Sequence, residues 1–273
     1  MFESFSLYQI EDEAKIPFSA IDYSKFKFGD GAVAEQFGRN LAAAFTKKHS
    51  DVLSADQPLV LVPSPFDSIP TASNALTRAF KKYLNYELYA RGKNGLLESK
   101  IHRYKTYPED YGNLSQEERI KLISGDTYHL DDDFLRDRTI LLIDDIKITG
   151  SHEMVVKQMI EKHQLTGRFI FLYFAELTNK KIPASFENHL NYYFVKGLND
   201  LTQIVAADSF AFNTRIIKYL LKSERFEFED FLSRLGNGKL KEMVELSISN
   251  NYHRIDAYKQ NLNYLIKHIN YGN

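Results

Sequence analysis

The residues with the richest chemistry stand together in one segment: Arg138-Thr-Ile-Leu-Leu-Ile-Asp144-Asp145-Ile-Lys147-Ile148-Thr149-Gly150-Ser151-His152-Glu153. An apolar run ends in two adjacent carboxylates, and a Thr-Gly-Ser turn leads from there into a helix-period pattern. That is the order of a buried parallel strand, a polar loop at its C-terminal end and a helix N-terminus, the edge of an α/β sheet where ligands bind. The loop offers backbone N–H groups, two hydroxyls and a helix dipole to an anion. Asp144 and Asp145 offer acceptors for sugar hydroxyls or a hydrated divalent cation. Anion site and carboxylates side by side suit a sugar phosphate. The same residues also suit an ordinary strand-to-helix turn in which Asp145 or Thr149 caps the helix.

The stretch from Ile140 to Ser151 resembles the phosphoribosyl-pyrophosphate (PRPP) signature of type I phosphoribosyltransferases: four apolar residues, Asp-Asp, one apolar residue, then Thr-Gly and a small residue. The resemblance implies that Asp144 and Asp145 meet the ribose hydroxyls and Mg²⁺, with Ile148, Thr149, Gly150, Ser151 and His152 wrapped around the 5′-phosphate. It implies transfer of ribose 5-phosphate from PRPP to a nucleophile, with release of pyrophosphate. Lys147, Ile148 and His152 depart from the usual pattern, and His152 replaces a hydroxyl of the cradle with an imidazole. With Phe26-Lys27-Phe28-Gly29-Asp30-Gly31 and Asp110-Tyr111, the segment is similar to a bacterial group of phosphoribosyltransferase-like proteins often encoded beside tellurium-resistance and stress-response genes. That group's acceptor is poorly defined. A PRPP-binding regulator that transfers nothing is the alternative on the same fold.

Two further loops would complete such a site. Ser64-Pro65-Phe66-Asp67-Ser68-Ile69-Pro70 follows a second apolar run and takes the position of the family's pyrophosphate loop, with Ser64, Asp67 and Ser68 as its polar groups. It lacks that loop's usual basic residue and glycines, so a proline-stiffened turn capped by Asp67 or Ser68 is an equal reading. Residues 100–111 fall where the family carries a mobile lid. Arg103 and Lys105 are the expected pyrophosphate contacts, arriving only on closure.

The elements that must position these loops follow from periodicity. Helices are expected over residues 32–48, 71–84, 115–122 and 153–163. Strands are expected over 2–10 at a sheet edge, 59–63, 86–90, 127–130, 168–174 and 192–195, besides the signature strand. The alternation predicts an α/β fold: a twisted, mostly parallel sheet with helices on both faces, in a domain spanning 1–198. Residues 199–273 show only helical periods and read as a C-terminal helical subdomain, broken at Gly236-Asn237-Gly238. Asp131-Asp132-Asp133 lacks the spacing of a calcium loop and reads as a solvated turn.

The 273 residues are 44% hydrophobic, enough for a sizeable core, and carry a net charge of −1. That balance, with a pI near 6.7, argues against a general nucleic-acid binder. No cysteine occurs, which excludes disulfides and thiolate metal sites. No signal peptide or membrane-spanning run is readable, so a cytoplasmic protein with no membrane partner is expected. Its partners would be PRPP and an unidentified acceptor, and a homodimer is the default assembly.

Overall fold

The computed structural model describes residues 1–103, 117–118 and 128–269. Its first strand β1 (Phe2–Ile10) leads through a short helix α1 (Ala20–Lys27) to the long helix α2 (Gly31–Lys48) and the turn-length α3 (Ser50–Ser54). Next come β2 (Leu59–Pro63), α4 (Ala72–Ala90), and the short strands β3 (Leu97–Glu98), β4 (His102–Arg103) and β5 (Tyr128–His129). The helix α5 (Asp132–Leu135) precedes the signature strand β6 (Arg138–Lys147), then α6 (Ser151–Lys162), β7 (Gly167–Leu177) and α7 (Phe186–Asn191). Beyond them the regular elements among the described residues are helical: α8 (Leu198–Ala206), α9 (Thr214–Lys222), α10 (Arg225–Ser233), α11 (Asn237–Ser249), a 3₁₀ turn (Tyr252–Arg254) and α12 (Asp256–His268). No described helix is long and apolar enough to cross a membrane.

Five strands form a parallel sheet in the order β1-β7-β6-β2-β3. Strands β4 and β5 form a separate antiparallel pair. Because side chains alternate along a strand, the sheet sorts its apolar residues onto two faces. Leu61, Leu141, Ile143, Ile170, Leu172 and Phe174 pack under α2 and α4. Val62, Ile140, Leu142, Phe169, Phe171 and Tyr173 pack under α6 through Val156, Met159 and Ile160. Helices therefore cover both faces, as the apolar runs of β2 and β6 require.

The strand order also places the site. From β2 the chain moves to β3 on one side; from β6 it moves to β7 on the other, although β2 and β6 are neighbours. The two connections diverge there and leave a crevice at the C-terminal strand ends. The Ser64–Pro70 loop and the Ile148–His152 loop both open onto it.

Three expectations need correction. Residues 86–90 are the last turns of α4 instead of a strand: Leu84 and Leu88 are buried one turn apart while Tyr86 and Tyr89 face solvent. The strand beside β2 is the two-residue β3. Residues 192–195 form no strand; Tyr192 and Val195 pack into the helical core. Helix α4 is capped by Thr71, whose N–H donates to Asn74 Oδ1 at 2.7 Å, not by Asp67 or Ser68. Helix α1 was unforeseen. The expected helix over 115–122 lies outside the described residues except at 117–118, which are helical. Asp131 caps α5 by accepting from Phe134 N, in keeping with a turn.

Residues after Leu198 build their own core around Leu220, Phe228, Phe231, Met243, Tyr252 and Tyr258, joined by Phe28 and Ile69 from the α/β part. Polar bonds fasten it at the same place. Thr214 N donates to Pro70 O at 2.9 Å, and Asn213 Nδ2 donates to Lys27 O at 3.1 Å.

Helices α2 and α4 owe their close approach to Gly38, where an added Cβ would stand 2.4 Å from Ala79 Cβ and 2.7 Å from Leu76 O. Gly38→Ala should lower stability by about 1–3 kcal/mol in urea unfolding, despite the gain of roughly 1 kcal/mol in helix propensity. Gly238→Ala, at a position with open space, should be neutral or stabilising.

Candidate active site

Strand alternation decides where the two signature carboxylates go. Asp144 continues the row of Ile140 and Leu142 toward α6, and Asp145 continues the row of Leu141 and Ile143 toward α1 and α2. The pair therefore does not present two acceptors side by side, as the sequence suggested, but one to each face. Their partners are correspondingly different.

Asp144 Oδ2 meets His152 Nδ1 at 2.8 Å, and its Oδ1 accepts from Asp145 N at 2.9 Å. An ionised carboxylate only accepts, so His152 donates from a protonated Nδ1. Burial acts to raise the Asp144 pKa, but the hydrogen bond and charge of His152, with bonds from Asp145 and Ser64, hold it down at about 2. Ser64, from the loop after β2, thus reaches the same carboxylate, and its N–H donates to Ile143 O at 3.1 Å. Ser64, Asp144 and His152 share one small crevice with Glu153 and Tyr173, of about 20 Å³.

Asp145 is nearly enclosed at 6% exposure. Its Oδ2 forms an ion pair with Lys27 and accepts from Tyr23 OH at 2.9 Å, both from α1. Burial and the neighbouring Asp144 push its pKa up, against the pull of Lys27. Neither Lys27 nor Tyr23 figured among the sequence candidates. They lie more than a hundred residues away, on a helix without an apolar stripe.

The loop between β6 and α6 has the backbone of an anion cradle. Gly150 adopts φ 76°, a left-handed conformation that glycine takes without strain, and precedes the first turn of α6. Thr149 Oγ1 and Ser151 Oγ lie 2.8 Å apart, and Ser151 N donates to Thr149 Oγ1 at 3.3 Å. The Ile148 side chain is buried in the core, so it offers only backbone.

Lys147 points neither to the loop's mouth nor to solvent. Its Nζ binds Glu153 Oε2 at 2.9 Å and Glu176 Oε1 at 3.1 Å. Glu153 also takes Lys157 Nζ at 2.5 Å and Tyr173 OH at 3.0 Å. A carboxylate in the first turn of a helix opposes any anion at that N-terminus. Two lysines neutralise it here, and against its burial they keep its pKa below the usual value.

The loop after β2 divides its tasks. Ser68 donates its N–H to Asn250 Oδ1 at 3.0 Å and its hydroxyl to Ser249 O at 2.9 Å, so its polar groups seat the C-terminal helices and do not line the crevice. Asp67 contributes its carbonyl to Lys100 Nζ at 3.1 Å, and that ammonium lies 3.8 Å from the Phe66 ring centroid. Phe66 also bridges to His102. The beginning of the 100–111 stretch is thereby joined to the candidate pyrophosphate loop. Arg103 lies in β4, while Lys105 is outside the described residues.

Magnesium at the aspartate pair does not fit these groups. The carboxylates diverge to opposite faces, and Lys27 and Tyr23 occupy Asp145, so the two do not hold one ion together.

The Asp144–His152 pair makes a pH prediction. A carboxylate with a depressed folded-state pKa contributes stability above its unfolded pKa and loses it as pH falls through the folded one. Between about pH 4 and pH 2 the protein should therefore lose on the order of 2 kcal/mol at this pair, the linkage equivalent of that shift. Asp144→Asn should remove that part of the acid-side slope in unfolding titrations.

Comparison with known proteins gives no match among curated proteins. Among solved structures, hypoxanthine phosphoribosyltransferase from Staphylococcus aureus aligns at 13% identity over 52% of this chain and 74% of that one, with a TM-score of 0.31. A hypoxanthine-guanine phosphoribosyltransferase from Bacillus anthracis aligns at 9% identity over 57% and 76%, with a TM-score of 0.35. That of L. donovani aligns at 16% identity over 54% and 70%, with a TM-score of 0.34. These overlaps are partial, and the assignment rests on a family model that takes in the signature, both sheet faces and most of the C-terminal helices. That model, PRTase ComF-like, matches residues 1–265, and the chain belongs to this phosphoribosyltransferase family.

Proposed function

We propose that the chain binds PRPP over the crevice between β2 and β6 and transfers its ribose 5-phosphate group to a nucleophile, releasing pyrophosphate. The observation that carries this reading is the convergence of Ser64, Asp144 and His152 at the point where the sheet's connections diverge, beside the Gly150 loop. The space between those groups holds only a water or two. A sugar phosphate would therefore lie across them, with its 5′-phosphate on the N–H groups that open α6.

In this reading the C1–oxygen bond to pyrophosphate breaks through an oxocarbenium-like state. The acceptor's electron pair forms the new bond to C1, and pyrophosphate leaves with the former bridging oxygen. The protein positions and shields rather than reacting covalently. Asp144 accepts from a ribose hydroxyl, its charge secured by His152. Lys100 already stands on the loop after β2, and Arg103 and Lys105 would add positive charge as pyrophosphate departs. Magnesium, where the donor carries it, would supply charge neutralisation to the pyrophosphate, with Lys100, Arg103 and Lys105 as the protein's own cations there.

Calorimetry with magnesium PRPP should show binding, and pyrophosphate should appear when a matching purine, pyrimidine or other acceptor is supplied. Asp144→Asn should weaken PRPP binding about tenfold, as expected for one lost charge-assisted hydrogen bond. Arg103→Ala and Lys105→Ala should lower turnover more than affinity. Heat without pyrophosphate from any acceptor would identify a PRPP-binding regulator, and no heat at all would end the PRPP reading.

A further inference from the structure

Among the described residues, Lys27 brings an ammonium into the signature from the α1 side of the sheet. It sits at 8% exposure against a carboxylate at 6%, and shares Oδ2 of Asp145 with the fully buried Tyr23 hydroxyl. Its own ring neighbour is Tyr23, 5.7 Å from the ammonium to the centroid. Its main-chain oxygen is held by Asn213 Nδ2, and the turn before it by Ser24 Oγ donating to Asn191 O at 2.8 Å. The lysine is thus fixed at both ends. A carboxylate this enclosed needs a counter-charge in contact. Either a lysine or a metal ion supplies one, but a hydrated magnesium ion needs space for its octahedral shell. The Lys27 ammonium, with the Tyr23 hydroxyl beside it on the same carboxylate oxygen, takes up that space.

We propose that Lys27 is a positioning residue of the signature, the protein's own cation at Asp145, in the place that the PRPP signature would give to magnesium. It keeps the buried carboxylate neutralised and the end of β6 in register with the phosphate loop. The ribose 5-phosphate end of the donor then binds without a divalent metal, and metal dependence enters only with the pyrophosphate. The inference rests on the proposed donor site and narrows which half of the donor calls for metal.

Ribose 5-phosphate separates the two halves, because it carries the hydroxyls and the 5′-phosphate but no pyrophosphate. Titrated into the full chain, it should bind with the same affinity, within about twofold, in Mg²⁺ and in EDTA. Lys27→Met should bind it at least tenfold more weakly in EDTA and recover part of that loss in Mg²⁺. Lys27→Arg should remain metal-independent. Lys27→Met combined with Asp145→Asn should lose the response to Mg²⁺ again, since no lone carboxylate is left to recruit it; a merely structural defect creates no metal dependence of this kind. Thermal unfolding with Mg²⁺ alone gives a second readout: the metal should raise the melting temperature of Lys27→Met by several degrees and leave the wild type and the double variant unchanged. Should Lys27→Met fail to fold, Lys27→Gln, which keeps a donor without the charge, takes its place in both measurements. A wild type that needs Mg²⁺ for ribose 5-phosphate, or a folded Lys27 variant that binds normally and ignores Mg²⁺, would overturn the proposal. Absence of heat with both ribose 5-phosphate and PRPP would count against the donor site, and the melting shift with metal alone would still decide for or against Lys27.

Discussion

Charge balance at the C-terminal end of β6 is the condition on which the candidate site depends. Asp144, Asp145, Glu153 and Glu176 crowd the strand end, where an anionic ligand would otherwise be repelled. Each carboxylate has a cation or imidazole in contact: His152 on Asp144, Lys27 on Asp145, Lys147 on Glu176, and Lys147 with Lys157 on Glu153. The partners come from three directions, namely the helix that follows the strand, the strand itself and α1 across the sheet. With the acids matched in this way, the helix N-terminus and its N–H groups set the local preference for anions.

How much of this was legible in the sequence varied with the range of the interaction. Strands β2 and β6 and the turn at Gly150 were readable because their signals are local: apolar runs ended by carboxylates, prolines or glycine. Helix α1 was not, since it buries Ser24 and Lys27 along with Tyr23 and Phe26 and so carries no apolar period. The aromatic stretch at residues 86–90 looked like a strand, yet it continues α4 because Leu84 and Leu88 fall on that helix's buried side. The two-residue β3 is too short to leave any periodic trace. The split of Asp144 from Asp145 follows from strand alternation alone. Their partners did not, because nothing local connects Lys27 with a residue 118 positions later.

The C-terminal helices belong to the same account. They have their own apolar core, but their polar attachments gather where the site is built: Ser68 to Ser249 and Asn250, Thr214 to Pro70, Asn213 to Lys27. The loop after β2 is therefore shaped from above by the helical region as well as from below by the sheet. Ser68, chosen from sequence as an anion contact, illustrates the difference between a residue's chemistry and its assignment in the fold. Its donors suit a phosphate and are used to hold a neighbouring helix end.

The hydroxyls of Thr149 and Ser151 already bond to one another. One of them donates to the other, so a phosphate oxygen can take the second hydroxyl's proton freely, while taking the first means breaking that contact, an exchange with small net enthalpy. Discrimination at this turn then falls to electrostatics and shape. Binding should weaken sharply as ionic strength rises, and dianions should be preferred over monoanions of the same size.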